Sequence, residues 1–114
     1  MPRHDDIIAL QHMLDYAREA VDMVAGKVQE DLENERMLEL ALVRLVEIIG
    51  EAAGRVSHGG QIKYPEIPWR EVIGMRNRLI HGYDSVDYSI LWDTVELDLP
   101  PLIAQLEKIL QDNK

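Results

Sequence analysis

The stretch from Met75 to Tyr83, MRNRLIHGY, places Arg76, Arg78, His81 and Tyr83 within eight residues. Histidine is the side chain best matched to moving a proton near neutral pH. Arginine offers an always-charged planar fork for a phosphoryl oxygen. Together Arg76 and His81 are equipped to assist attack of a ribose 2′-hydroxyl on the adjacent phosphate, without a metal ion. A plainer account also fits the window. Cationic residues in a last helical turn complement its negative end, and Gly82 is a natural terminator. On an ideal helix, positions five apart lie about 140° from each other, so Arg76 and His81 meet only if His81 leaves the helix at a frayed end. One histidine is thin for both acid and base roles, and a dimer that brings two copies of the site together would supply the second.

The rest of the composition narrows the field. Of 114 residues, 46% are hydrophobic and 29% charged, with no cysteine and no phenylalanine. The length suits one domain spanning 1–114, with a core of Leu, Ile, Val, Ala and Met. The lack of cysteine excludes disulfides and thiolate zinc sites. No apolar run approaches the roughly 20 residues needed to cross a bilayer, and the opening MPRHDD does not read as a signal peptide, so a cytoplasmic protein is expected. The formal net charge of -9 argues against indiscriminate coating of nucleic acid. Between Trp69 and Gly82, however, three arginines face one glutamate, so this window is locally basic. His4, His12, His58 and His81 show no metal-ligand spacing, and no phosphate loop or nucleophile elbow is present. No metal and no cofactor are expected.

The elements that must position this window read as helices. From about Asp5 to Val28, apolar residues recur at alternating three-four spacing, and Asp5 and Asp6 suit a helix N-terminus. A second helix is expected from near Asp31 to about Val56. Thirteen of the twenty residues from Met37 to Val56 are apolar, more than one buried stripe requires, which points to a second copy of the chain as an additional contact. Gly50 and Gly54 would allow close approach there, and Arg44, Glu47, Glu51 and Arg55 form a polar stripe. His58 to Pro68 carries two glycines and two prolines and reads as a loop. A third helix is expected from about Trp69 to His81, then the loop YDSVD, then a helical stretch from Tyr88 to Asp98. Pro100 and Pro101 interrupt the chain before a last helix with Leu102, Ile103, Leu106, Ile109 and Leu110 on one face. No strand is evident. The architecture expected is an all-α, up-and-down four-helix bundle with a proline-broken C-terminal helix.

The order Arg76, Asn77, three further residues, His81 and, two residues on, Tyr83 resembles the signature of HepT-type toxins of the HEPN superfamily. The resemblance extends to IIGEAAGRV at Ile48 to Val56, YPEIPWREVIGMRN from Tyr64 and LWDTVELDLPPL from Leu91. It implies a homodimeric, metal-independent endoribonuclease acting as the toxin of a type VII-like toxin–antitoxin pair. It implies Arg76 and His81 as the catalytic pair, with Asn77 orienting them. It also implies a minimal nucleotidyltransferase antitoxin that uses ATP to adenylylate Tyr83, where a bulky anionic nucleotide would fill the site and compete for Arg76 and Arg78. Arg78 is a further candidate for RNA phosphate. Glu51 either pairs with Arg55 one turn on or turns inward to position Arg76. Trp69 and Trp92 read as core or interface anchors. A non-catalytic helical module, binding a nucleotide or docking a nucleotidyltransferase, shares the bundle and the basic site and stays open at this point.

Overall fold

The computed structural model describes residues 3–81 and 85–114. The chain is an all-α bundle, as expected. Helix α1 spans His4–Met23, α2 Glu30–Asn34, α3 Arg36–Arg55, α4 His58–Lys63, α5 Trp69–Ile73, α6 Met75–Leu79, α7 Tyr88–Asp93 and α8 Leu99–Asp112. A π-helical turn, Thr94–Asp98, joins α7 to α8. Among the described residues no helix is long and apolar enough to cross a membrane.

Helix α1 packs against α3 and α8, and the core lies between them. Its three-four spacing buries Ala9, Leu10, Met13, Leu14, Ala17 and Ala20. They meet Leu42, Leu45, Val46 and Ile49 of α3, and Leu102, Leu106 and Ile109 of α8. Full burial of each such Leu or Ile contributes about 1.5–3 kcal/mol, so this seam dominates the fold's stability. Helix α1 stops five residues short of the expected Val28. Val24 closes it, Gly26 turns the chain with φ +77°, and Val28 is exposed. A side chain at Gly26 would carry the strain of the left-handed region.

Four further boundaries differ from expectation. The expected second helix is two, broken at Glu35 (φ -121°, ψ 87°) with no proline or glycine to mark it. Leu32 is fully buried and Lys27 pairs with Glu35 at 3.0 Å, so tertiary contacts fold α2 back onto α3. The glycine-rich segment after Ser57 is not a loop throughout but contains α4, because the Ser57 hydroxyl accepts from the Gly60 amide at 3.1 Å and caps it. The expected helix from Trp69 to His81 breaks at Gly74 and ends at Leu79. Beyond it Ile80–His81 forms a short antiparallel ladder with Ser85–Val86, a pairing that the sequence did not signal. Pro100 and Pro101 do not interrupt the chain as expected: α7, the π-helical turn and α8 follow one another without a gap from Tyr88 to Asp112, and both prolines stand in the first turn of α8, where a fixed φ suits the helix.

A buried carboxylate ties the start of α1 to the α3–α4 turn. Asp6 is 2% exposed; its Oδ1 accepts from the Ser57 amide at 2.8 Å and its Oδ2 from the Ser57 hydroxyl at 2.6 Å. Gly60 is required beside it, because a Cβ there would stand 2.6 Å from Asp6 Oδ2. Burial alone would raise the Asp6 pKa, but the two Ser57 hydrogen bonds, with Arg3 nearby, hold it below the usual carboxylate value. A depressed folded-state pKa means stability that is complete above the unfolded value of about 3.9 and is lost as pH falls through the folded value. Asp6→Ala is therefore expected to cost about 1–3 kcal/mol at pH 7 by urea denaturation. Asp6→Asn is expected to flatten the loss of stability that the parent shows below about pH 4. An unchanged acid limb in Asp6→Asn would place that loss elsewhere.

Candidate active site

Three contacts lay the segment from α5 to α7 along α3, running toward its N-terminus. Near the C-terminal end, Gly50 packs against backbone of α5, with its notional Cβ 3.1 Å from the Ile73 carbonyl and 3.2 Å from that of Val72. One turn earlier, Arg76 Nε lies 2.9 Å from Glu47 Oε2. Two turns earlier again, the Tyr88 hydroxyl donates to Glu39 Oε1 at 3.1 Å. Gly50 is the residue that admits this approach, whereas Gly54 faces open space.

Within α6 the burial of Met75 and Leu79, one turn apart, fixes the helix face down and leaves Arg76, Asn77 and Arg78 exposed. Arg76 and Arg78 sit about 200° apart around the helix and diverge accordingly. Arg76 turns to α3, while Arg78 Nη2 lies 4.0 Å from Asp98 Oδ2 in the π-helical turn. Arg78 thus belongs to a different groove of about 350 Å³, between α5–α6 and the start of α8, floored by Val72, Met75 and Leu102. The structure does not bring Arg78 together with Arg76.

The acidic partner of Arg76 is Glu47, not Glu51. Glu47 also accepts a hydrogen bond from Arg44 Nη1 through its other oxygen, at 2.6 Å. That bond is the main cause holding the Arg44 pKa above its ordinary value. Glu51 lies 3.8 Å from Arg44 and is 56% exposed. It lines a separate groove of about 400 Å³ between α1 and α3, with Asp5, His12 and Arg55 around Ile8 and Ile48. So Glu51 neither forms the expected bridge to Arg55 nor reaches Arg76. At 100° per residue, Glu47 lies about 60° from Gly50 around α3 and Glu51 about 100° on the same side. Only the nearer one meets the helix that Gly50 admits.

Beyond Leu79 the ladder pairs Ile80 with Val86 and His81 with Ser85, and the Asp87 amide donates to the Leu79 carbonyl at 2.8 Å. Asp87 then caps α7, its side chain accepting from the Ile90 amide at 3.0 Å. The His81 backbone is thus fixed on a strand directly after the helix that carries Arg76, not in that helix's last turn. Gly82 and Tyr83 lie outside the described residues. Trp69 donates from Nε1 to the carbonyls of Gln61 and Tyr64, each at 3.0 Å, and Trp92 packs on the core, so both act as anchors. Among the described residues no three His, Asp or Glu side chains are grouped to hold a metal.

Known proteins carry this arrangement further. Residues 13–109 match the family model described as "Ribonuclease HepT-like". The chain belongs to the HepT-like ribonuclease family. The chain is 35% identical over 112 residues to "Putative RNase MJ1216" of Methanocaldococcus jannaschii, covering 98% of this chain and 93% of the relative. It is 38% identical over 105 residues to "Putative RNase TTE0752" of Caldanaerobacter subterraneus subsp. tengcongensis, covering 92% and 94%. It is 42% identical over 80 residues to "Probable ribonuclease HepT" of Thermococcus cleftensis, covering 70% and 73%. No solved structure matches the chain. As a HepT-like member the chain is an enzyme of the ribonuclease class, with RNA as the substrate that class implies.

Proposed function

We propose that this HepT-like protein is the toxin of a type VII-like toxin–antitoxin pair, a cytoplasmic, metal-independent endoribonuclease folded as one HEPN-like domain over 1–114. The observation that carries the proposal is the seating of Arg76, in the family's Arg-Asn-x3-His-x-Tyr order, on Glu47 at the edge of α3. An arginine held there through Nε keeps its two Nη groups for a phosphoryl oxygen.

In the reaction proposed, the ribose 2′-oxygen attacks the adjacent phosphorus and gives up its proton, with His81 assisting the transfer. The bond from phosphorus to the 5′-oxygen breaks, and that oxygen takes a proton as it leaves. Arg76 holds the charge that builds on the phosphoryl oxygens. Asn77 orients the pair, and Arg78, on its own groove, is left a supporting role toward the RNA backbone. The second proton-transfer group comes from a homodimer. Its support is the apolar surplus of α3, which survives folding at Met37, 85% exposed, and Leu40, 51% exposed, one to two turns from Arg44. The off-switch is adenylylation of Tyr83 by a minimal nucleotidyltransferase antitoxin.

Purified protein is expected to cut single-stranded RNA at an undiminished rate in excess EDTA, and to arrest growth when expressed without its antitoxin. No cleavage and no toxicity, with a nucleotidyltransferase still bound, would make the chain a docking module instead.

A further inference from the structure

Glu47 holds two arginines at once, and its geometry leaves both with donors to spare. Arg44 reaches Oε1 through Nη1 at 2.6 Å, and Arg76 lies 2.9 Å from Oε2 through Nε. The Glu47 side chain is 29% exposed, while Arg44 and Arg76 are 59% and 45% exposed. Two guanidinium groups this close repel each other; Glu47 between them offsets one of the two charges, and Glu51, 3.8 Å from Arg44 and more than half exposed, offsets part of the other. Glu47 does not occupy the Nε and Nη2 donors of Arg44 or the two Nη groups of Arg76. Such forks match the oxygens of a phosphodiester bidentately. The chain carries a net charge of -9, so exposed guanidinium forks with free donors mark where a polyanion can approach.

We infer that Arg44 is a second phosphate-binding residue of the site, and that Glu47 is the positioning residue that sets Arg44 and Arg76 side by side to seat the backbone of the RNA strand. The inference rests on the ribonuclease reading above and adds two α3 residues that lie outside the Arg76–His81 motif.

The test measures binding of a labelled single-stranded RNA by the uncleaving His81→Ala protein over a range of salt, and cleavage kinetics in the active parent. Arg44→Ala is expected to weaken binding about tenfold and to lower the slope of log affinity against log salt by about 0.7, the value for one phosphate contact on a single strand. Its KM rises more than its kcat falls. Arg44→Lys recovers the salt slope and only part of the affinity, because charge returns without the fork. Glu47→Gln is expected to bind RNA more tightly, having lost a negative charge, yet to cut about tenfold more slowly, because Arg76 loses its ionic seat. A merely structural glutamate would not move binding and turnover in opposite directions. Unchanged affinity and salt slope in Arg44→Ala overturn the inference, even while Arg76→Ala and His81→Ala still abolish cleavage. RNA bound but never cut by the parent defeats the ribonuclease reading alone, since the salt slope still decides Arg44. No RNA binding by the parent defeats both.

Discussion

His81→Ala is expected to lower RNA cleavage about 10²–10⁴-fold, the range general acid–base catalysis supplies, while the protein remains folded and of unchanged assembly. Arg76→Ala is expected to lose about 10²–10³-fold, the scale on which a single preorganised charge donor acts. Neither loss is a stability effect. Arg76 is 45% exposed, and an ion pair at such a surface is worth about 0–1 kcal/mol. Glu47 keeps Arg44 when Arg76 is removed, so no carboxylate is stranded. The His81 backbone pairs in a two-residue ladder, and the Asp87 amide to Leu79 carbonyl bond closes that turn whatever side chain stands at 81. Arg76→Lys should recover little, since an ammonium cannot replace the fork. Rates are read by single-turnover cleavage of a labelled RNA, with circular dichroism and sedimentation as controls. Full activity in either alanine variant, with contaminating nuclease excluded, removes that residue from the mechanism.

The second large effect is the switch. Incubation with the nucleotidyltransferase partner and ATP is expected to raise the intact mass by one AMP and to reduce cleavage to background. Tyr83→Phe should show neither change and should stay toxic in the presence of the antitoxin. The physical ground is proximity along the chain: Tyr83 falls between His81 and Ser85, which are paired across the ladder. A nucleotide attached between those residues brings negative charge and bulk to the strand that carries His81. Mass addition in Tyr83→Phe would mean a different acceptor; mass addition without loss of cleavage would mean that the modification is not the switch.

How far the sequence reached depended on the kind of signal. Three-four apolar spacing made α1 legible, an apolar surplus marked α3 and a single apolar face marked α8, because each pattern reports on burial along one helix. Breaks imposed from elsewhere in the fold were not legible. Nothing in the residues around Glu35 marks the end of α2, since the burial of Leu32 and the Lys27–Glu35 pair cause it. The two glycines after Ser57 argued for a loop, yet Gly60 is there because Asp6 and Val56 leave no room for a Cβ, within a helix that Ser57 caps. At the site, Arg76 was legible from its order relative to Asn77 and His81. Its partner was not, because Glu47 and Glu51 differ by only about 40° around α3. The choice between them is made by where α5 rests on Gly50. That contact also explains why Arg44 escaped notice: its role depends on Glu47, and Glu47 looks like any other member of a polar stripe. Arg78 shows the converse. Its place in the motif grouped it with Arg76, but two residues along a helix turn a side chain to the far side, toward Asp98.

In the proposed reaction the Arg76–His81 pair drives attack by a ribose 2′-hydroxyl. The most direct measurement is the chemistry of the ends left when the parent protein cuts a defined RNA in excess EDTA. Expected are a 2′,3′-cyclic phosphate on one fragment, a 5′-hydroxyl on the other, and no cleavage where a single 2′-deoxy residue precedes the scissile phosphate. Fragments bearing 5′-phosphates, or normal cleavage at the 2′-deoxy position, would contradict it.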